Sequence, residues 1–265
     1  MTRRGWTAGA AVLLALLAGC ALPDPPRGRS AEAGAAPGST ATQPPPYRRW
    51  GLSAPLSPPP SPLRHPARPA DGLAPVLDRI TTSRKVVFLT FDDGAEKDPR
   101  FVDMVRELRL PVSMFLTDSV VGPGYGHFAR LRSVGASVQN HTLDHAALRG
   151  LPYAGQRAEI CGQQQKLRAR FGVRPHLFRP PYGTYDTTTR KAAADCGITA
   201  IVLWRATMNA ADLTFTKGPA RLRPGDIVSV PSTESPEPML RERTARLLRR
   251  VQEAGLTVGR LEDYL

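Results

Sequence analysis

Val86-Val87-Phe88-Leu89-Thr90-Phe91, closed by Asp92-Asp93-Gly94, is the stretch from which the fold is read. Six apolar or β-branched residues bounded by turn chemistry suit a strand buried on both faces, the kind found in parallel sheets covered by helices. Further short runs of the same type follow at Val112–Thr117, Ala136–Gln139, His176–Arg179, Thr199–Leu203, Ile227–Pro231 and Leu256–Val258, which makes seven strands. Between them lie stretches of helical period: Pro99–Leu108, His127–Val134, Tyr153–Phe171, Asp186–Asp195 and Pro238–Ala254. Gly135, Gly172, Gly197 and Gly255 stand where left-handed caps would end helices. The alternation predicts an α/β barrel, with Ala206 to Pro224 irregular. In such barrels chemistry gathers at the C-terminal strand ends.

Upstream of this pattern the composition changes. Fifteen of the 27 prolines lie between Pro23 and Pro75, so Ala21 to Pro75 is expected to supply no regular helix or central strand. The folded part then spans residues 76–265, enough to stay folded without a metal or disulfide as a staple. Residues 1–19, with Arg3 and Arg4 before the apolar run Ala8 to Leu17, read as a secretory signal peptide. Leu17-Ala18-Gly19-Cys20 resembles the lipobox of bacterial lipoproteins, which implies that Cys20 carries lipid. Residues 20–75 then form a Pro-rich tether holding the domain outside the cytoplasm at a membrane. The net charge of +13 favours anionic or neutral partners. No helix stacks arginines on one face with interleaved aromatics, so nucleic-acid binding is excluded. A monomer is expected.

Three strand ends carry chemistry. Asp92 and Asp93 alternate faces on an extended chain and can serve different partners at the mouth, although Asp-Gly by itself is turn chemistry. After Asn140 comes His141-Thr142-Leu143-Asp144-His145; i, i+4 spacing on a helical turn suits two metal ligands, or else two solvent-facing histidines. Arg179-Pro180-Pro181-Tyr182-Gly183 fixes a guanidinium and a tyrosine amide on a stiff, extended path.

Together, Thr90-Phe91-Asp92-Asp93-Gly94, His141-Thr142-x-x-His145 and Arg179-Pro180-Pro181-Tyr182-Gly183 resemble the motifs of the polysaccharide deacetylase family, the NodB-homology carbohydrate esterases. The resemblance covers about Lys85 to Leu265 and implies a distorted (β/α)7 barrel. It implies that Asp93, His141 and His145 bind a divalent metal, usually zinc. It makes Asp92 the general base, Arg179 the residue that keeps Asp92 ionised, and the Tyr182 N–H an oxyanion donor. Pro180 and Tyr182 would meet the substrate, an acetylated polysaccharide such as peptidoglycan or chitin-like oligomers of N-acetylglucosamine. Trp204 would either stack on a sugar or sit in the core.

One motif departs from the family. Where members carry Gly-x-Ile-Val-x-x-His, this chain reads Gly225-Asp226-Ile227-Val228-Ser229-Val230-Pro231, with proline in place of the histidine that protonates the leaving amine. No histidine follows His176, and the Asp-x-x-Asp-Trp stretch that orients the missing one is also lost after Trp204. Three outcomes follow: deacetylation in which Asp92 is both base and acid, a preference for O-acetyl esters, or glycan binding without turnover. Glu234, in a loop, offers another proton source. Cys161 and Cys196 form either a disulfide or two buried thiols. His127 is expected to face solvent, and His176 to be structural.

Overall fold

A computed structural model describes residues 44–62, 72–232 and 239–265. The signal peptide, Cys20, much of the tether and Glu234 lie outside those residues. In chain order the elements are α1 (Pro46–Arg49), β1 (Val76–Leu77), β2 (Val86–Asp93), α2 (Pro99–Leu108), β3 (Val112–Leu116), α3 (Asp118–Val121), α4 (Tyr125–Ser133), β4 (Ser137–Asn140) and α5 (Tyr153–Phe171). Then come β5 (Leu177–Phe178), α6 (Thr187–Asp195), β6 (Ala200–Val202), β7 (Ala206–Met208), β8 (Leu213–Phe215), β9 (Ile227–Val230), α7 (Leu240–Glu253) and β10 (Thr257–Gly259).

The sheet runs β1-β6-β5-β4-β3-β2-β9-β7-β8, with β10 beside the start of β2, and every pairing except the β7–β8 hairpin is parallel. The chain leaving β6 bends so that the Arg205 N–H donates to the Ile227 carbonyl, which leads β7 alongside β9 and curls the sheet. All seven strands read from the sequence are present within a residue or two of their expected ends.

The two-residue period of β2 sorts its side chains. Val87, Leu89 and Phe91 face outward into a core shared with Phe101, Met104 and Val105 of α2 and Leu247, Leu248 and Val251 of α7. Val86 and Phe88 face inward with Phe115, Leu177, Val202 and Ile227, floored by Leu261 and Tyr264. Thr90 and Asp92 continue the inward row towards the C-terminal end. A third cluster joins Ile160, Ala192, Ala193 and Ile201, packing α5 and α6 on β5 and β6. There Cys161 and Cys196 are joined in a disulfide, with Cα atoms 5.1 Å apart.

Three expectations need correction. Ala206 to Pro224 contains the β7–β8 hairpin, its turn closed by the Asn209 amide oxygen accepting the Ala211 and Asp212 N–H groups, and Arg205 gathers the loop beyond it: its guanidinium donates to the carbonyls of Lys217, Pro219 and Arg221 while pairing with buried Asp226. Part of the proline-rich stretch is packed against the domain. Pro46 occupies the first turn of α1, where its missing N–H is no loss. Beyond it Trp50 and Leu52 are buried, and Trp50 Nε1 donates to Glu107 of α2 at 2.7 Å. The Gln252 amide of α7 donates to the Ala54 carbonyl, and the Tyr264 hydroxyl to the Pro60 carbonyl. The third concerns His127: α4 begins at Tyr125, which draws His127 inside the helix and buries it against Phe128. Burial holds its imidazole neutral, with the pKa pushed down to about 4. Among the described residues, no helix is long and apolar enough to cross a membrane.

Candidate active site

Five non-glycine residues among those described have positive φ, and four of them, Asp93, Thr142, His145 and Tyr182, stand at the C-terminal ends of β2, β4 and β5. Such conformations are costly for residues with a Cβ and persist only where the surroundings impose them, typically at functional sites. At the end of β2, φ of 66° at Asp93 turns its carboxylate away from the outward face it would otherwise take.

The two histidines do not share a helical turn, as their spacing suggested. A tight loop brings them together: the Asn140 amide oxygen accepts the Thr142 N–H at 2.9 Å, and the Thr142 hydroxyl accepts the His145 N–H at 3.1 Å. Asn140 is itself held by donation to the Ile160 carbonyl of α5. The imidazoles then meet edge to face, 5.1 Å apart, with both Nε2 atoms aimed at one Asp93 oxygen at 3.0 and 3.1 Å.

That convergence has a definite electrostatic meaning. His141 Nδ1 lies 2.6 Å from the Arg179 carbonyl, which can only accept, so Nδ1 carries the ring proton and a neutral His141 turns a lone pair towards Asp93. Asp93 Oδ1 is buried and receives no properly directed hydrogen bond. Burial works against the Asp93 charge; imidazoles protonated at Nε2 would hold the carboxyl well below the usual range, and with neutral rings that part is left to a cation. Two imidazole nitrogens and a carboxylate oxygen within 4.8 Å of one another fit a divalent cation. The backbone carbonyl on His141 is the outer partner that fixes a ligating tautomer.

Asp92 is fixed separately. Fully buried Arg179 donates Nη1 to Asp92 Oδ1 at 2.5 Å and to the Thr90 hydroxyl at 2.9 Å. Its Nε and Nη2 reach the carbonyls of Val202 and Leu203, and the guanidinium lies over the rings of Phe115 and Trp204. Burial pulls the Arg179 pKa down, and the Asp92 charge opposes that shift. The Ser229 hydroxyl of β9 donates to Asp92 Oδ2 at 2.8 Å. Sequence reading passed over both Thr90 and Ser229. The signal available was a hydroxyl in each of two otherwise apolar strands, two residues before a mouth position.

Pro180 and Pro181 are buried, so what this segment offers the mouth is its backbone path. Tyr182 is 66% exposed with φ of 59°; its hydroxyl lies 3.2 Å from His145 Nδ1, and its N–H has no acceptor among the described residues. Gly183 is needed behind it, because φ is +68° and a Cβ would meet the Trp204 ring at 3.2 Å. Trp204 is half-buried between Gly183 and Arg179. At β9 the Pro231 carbonyl accepts from Arg243 of α7, and the Ser232 hydroxyl accepts the Glu96 N–H.

Comparison with known proteins places this arrangement. The polysaccharide deacetylase family pattern matches residues 79–201, a span that holds all three motifs and stops before Pro231. An uncharacterized protein of Streptomyces coelicolor is 65% identical over 76% of this chain and 82% of its own length. Chitin deacetylase 1 of Cryptococcus neoformans is 27% identical over 60% of this chain, which spans 34% of that protein. A family 4 carbohydrate esterase from Streptomyces lividans, solved in complex with acetate, superposes with a TM-score of 0.56 at 25% identity, over 67% of this chain and 93% of that one.

Proposed function

Because the chain belongs to the polysaccharide deacetylase family, we propose that it is a metal-dependent hydrolase removing acetyl groups from cell-envelope or chitin-like polysaccharide, with N-acetylglucosamine units as substrate. The observation that carries this reading is the convergence of Asp93, His141 and His145 beside an Asp92 that Arg179 clamps. The donor set suits zinc. When bound, such a cation polarises the acetyl carbonyl and makes a coordinated water acidic.

The remaining work falls to the chain. Asp92 accepts the proton of the attacking water, and Arg179 keeps it charged and oriented. Tyr182 N–H, turned outward by positive φ, donates to the oxygen that gains charge. The exposed Tyr182 ring, with Trp204 behind it, forms the wall on which a sugar rests. Cys20 would anchor the protein by lipid, outside the cytoplasm.

Pro231 shapes the rate. An alkylamine leaves poorly unless protonated, and loss of a general acid costs a factor of ~10² to 10⁴. Asp92, protonated by the first step, hands its proton to the leaving nitrogen. The same absence favours O-acetyl esters, whose alkoxide departs more readily. Glycan binding without turnover is the remaining reading, and the retained Asp92–Arg179 pair speaks against it. Acetate release by the zinc-loaded chain from N-acetylglucosamine oligomers and from O-acetylated xylan separates the three. Amide hydrolysis abolished by Asp92→Asn supports the proposal. Release from the ester alone moves the reaction to O-deacetylation, and none from either overturns it.

A further inference from the structure

The end of the barrel opposite the mouth carries a second feature that deacetylation does not use. Arg223 and Pro224 precede β9, Ala254 closes α7 ahead of β10, and Arg79 follows β1; with Thr82, Arg221 and Leu222 they line an open cavity of about 560 Å³. Three guanidinium groups share this lining, and no carboxylate among the described residues joins it.

Their charges are not spent on the protein. Arg79 donates one Nη2 bond, to the Pro224 carbonyl, while its Nε is buried without a partner. Arg223 Nε is likewise buried and unpaired, and the Arg221 side chain has no acceptor among the described residues. The nearby acids are occupied. Asp226 is fully buried, takes both Nε and Nη2 of Arg205, and accepts the Arg223 backbone N–H at 2.8 Å. Asp78 pairs with Lys217. Arg205 shows how this chain satisfies a guanidinium it uses structurally, with every nitrogen bonded; Arg79, Arg221 and Arg223 are left open by comparison.

The cradle is also rigid. The Ile80 N–H donates to the Gly225 carbonyl at 2.8 Å, and Gly225, at φ +86°, lies so close to the Ile80 carbonyl that any Cβ would fall 1.9 Å from it. This clamp holds Arg79 and Arg223 on either side of one backbone crossing. Preorganised guanidinium groups bind phosphate by paired, charge-assisted hydrogen bonds. We propose that this cavity is a phosphate-binding site, formed by Arg79, Arg221 and Arg223, that seats the phosphate of a phosphodiester on the face away from the catalytic mouth.

The test uses the full chain, titrated with inorganic phosphate at low ionic strength and, separately, with vesicles of phosphatidylglycerol or phosphatidylcholine. Saturable phosphate binding, weakened about 10-fold or more in Arg221→Gln/Arg223→Gln, is expected, since each lost charge-assisted bond removes roughly that factor. Zinc stoichiometry and near-UV circular dichroism should be unchanged in the variant, as neither residue touches the mouth. Arginine-dependent binding to phosphatidylglycerol but not phosphatidylcholine would assign the phosphate to a lipid headgroup, and phosphate binding without vesicle binding to a soluble or polymeric source. Equal phosphate affinity in the variant, or no saturable binding of phosphate or phosphatidylglycerol, would overturn the proposal.

Discussion

Replacing Arg179 by methionine should destabilise the domain mainly by stranding Asp92, and the structure allows that cost to be separated from others. The guanidinium is fully buried, so its removal leaves the Asp92 carboxylate with the Ser229 hydroxyl alone. Breaking a buried pair from one side costs about 3–5 kcal/mol. For a domain of this size that lowers the thermal midpoint by roughly 6–20 °C. The carbonyls of Val202 and Leu203 also lose the donors that Arg179 supplies, which adds to the loss without depending on charge. A double-variant cycle followed by thermal unfolding without metal divides the two contributions. If the stranded charge dominates, Arg179→Met/Asp92→Asn should be more stable than Arg179→Met by about 2 kcal/mol or more, a coupling typical of contacting residues. A double variant no more stable than the single one would refute the reasoning. Arg179 would then be a strut between β5 and β6 and not the counter-charge of Asp92.

Other consequences can be checked together. The Cys161–Cys196 disulfide closes a separation of 35 residues, worth about 3–4 kcal/mol on chain-entropy grounds, so reductant should lower the thermal midpoint; an unmoved midpoint would count against it. His127, among Arg130, Lys97 and Asp98, stays neutral in the fold down to about pH 4, whereas the unfolded chain takes up that proton near 6.5. The unfolded state therefore binds more protons in that window, and stability should fall as pH drops from 6.5 to 4. His127→Asn should flatten that slope in denaturant titrations, and an unaltered slope would assign it to other groups. Removing residues before Val76 deletes buried Trp50 and Leu52, so denaturant titration should find a chain beginning there less stable than one beginning at Gln43 by about 3 kcal/mol or more.

The parts of this structure legible in the sequence are those governed by local pattern. Val86–Phe91 could hardly be other than a buried strand, and the alternation at its end gave Asp92 and Asp93 different partners at the mouth. What was hidden depends on side chains that act over distance. The loop that follows the β7–β8 hairpin is gathered by Arg205 and Asp226, 21 residues apart, and no local propensity signals that pairing. Residues 46–60 were masked by proline count, although Pro46 suits a first helical turn and Trp50 is a poor residue to leave in water. At the site, the three motifs named side chains that the fold brings together, but i, i+4 spacing suggested the wrong local geometry for His141 and His145. Positive φ at Thr142 and His145 is set by Asn140 and the Thr142 hydroxyl, which sequence spacing does not encode.

The central claim, that Asp93, His141 and His145 hold the cation on which hydrolysis depends, is met most directly by titrating zinc into the metal-free chain while following acetate release. Release should rise linearly to one equivalent of zinc per chain and then level off, and Asp93→Ala should abolish the break. Acetate release that is already complete without zinc, or absent with one equivalent bound, would contradict the account.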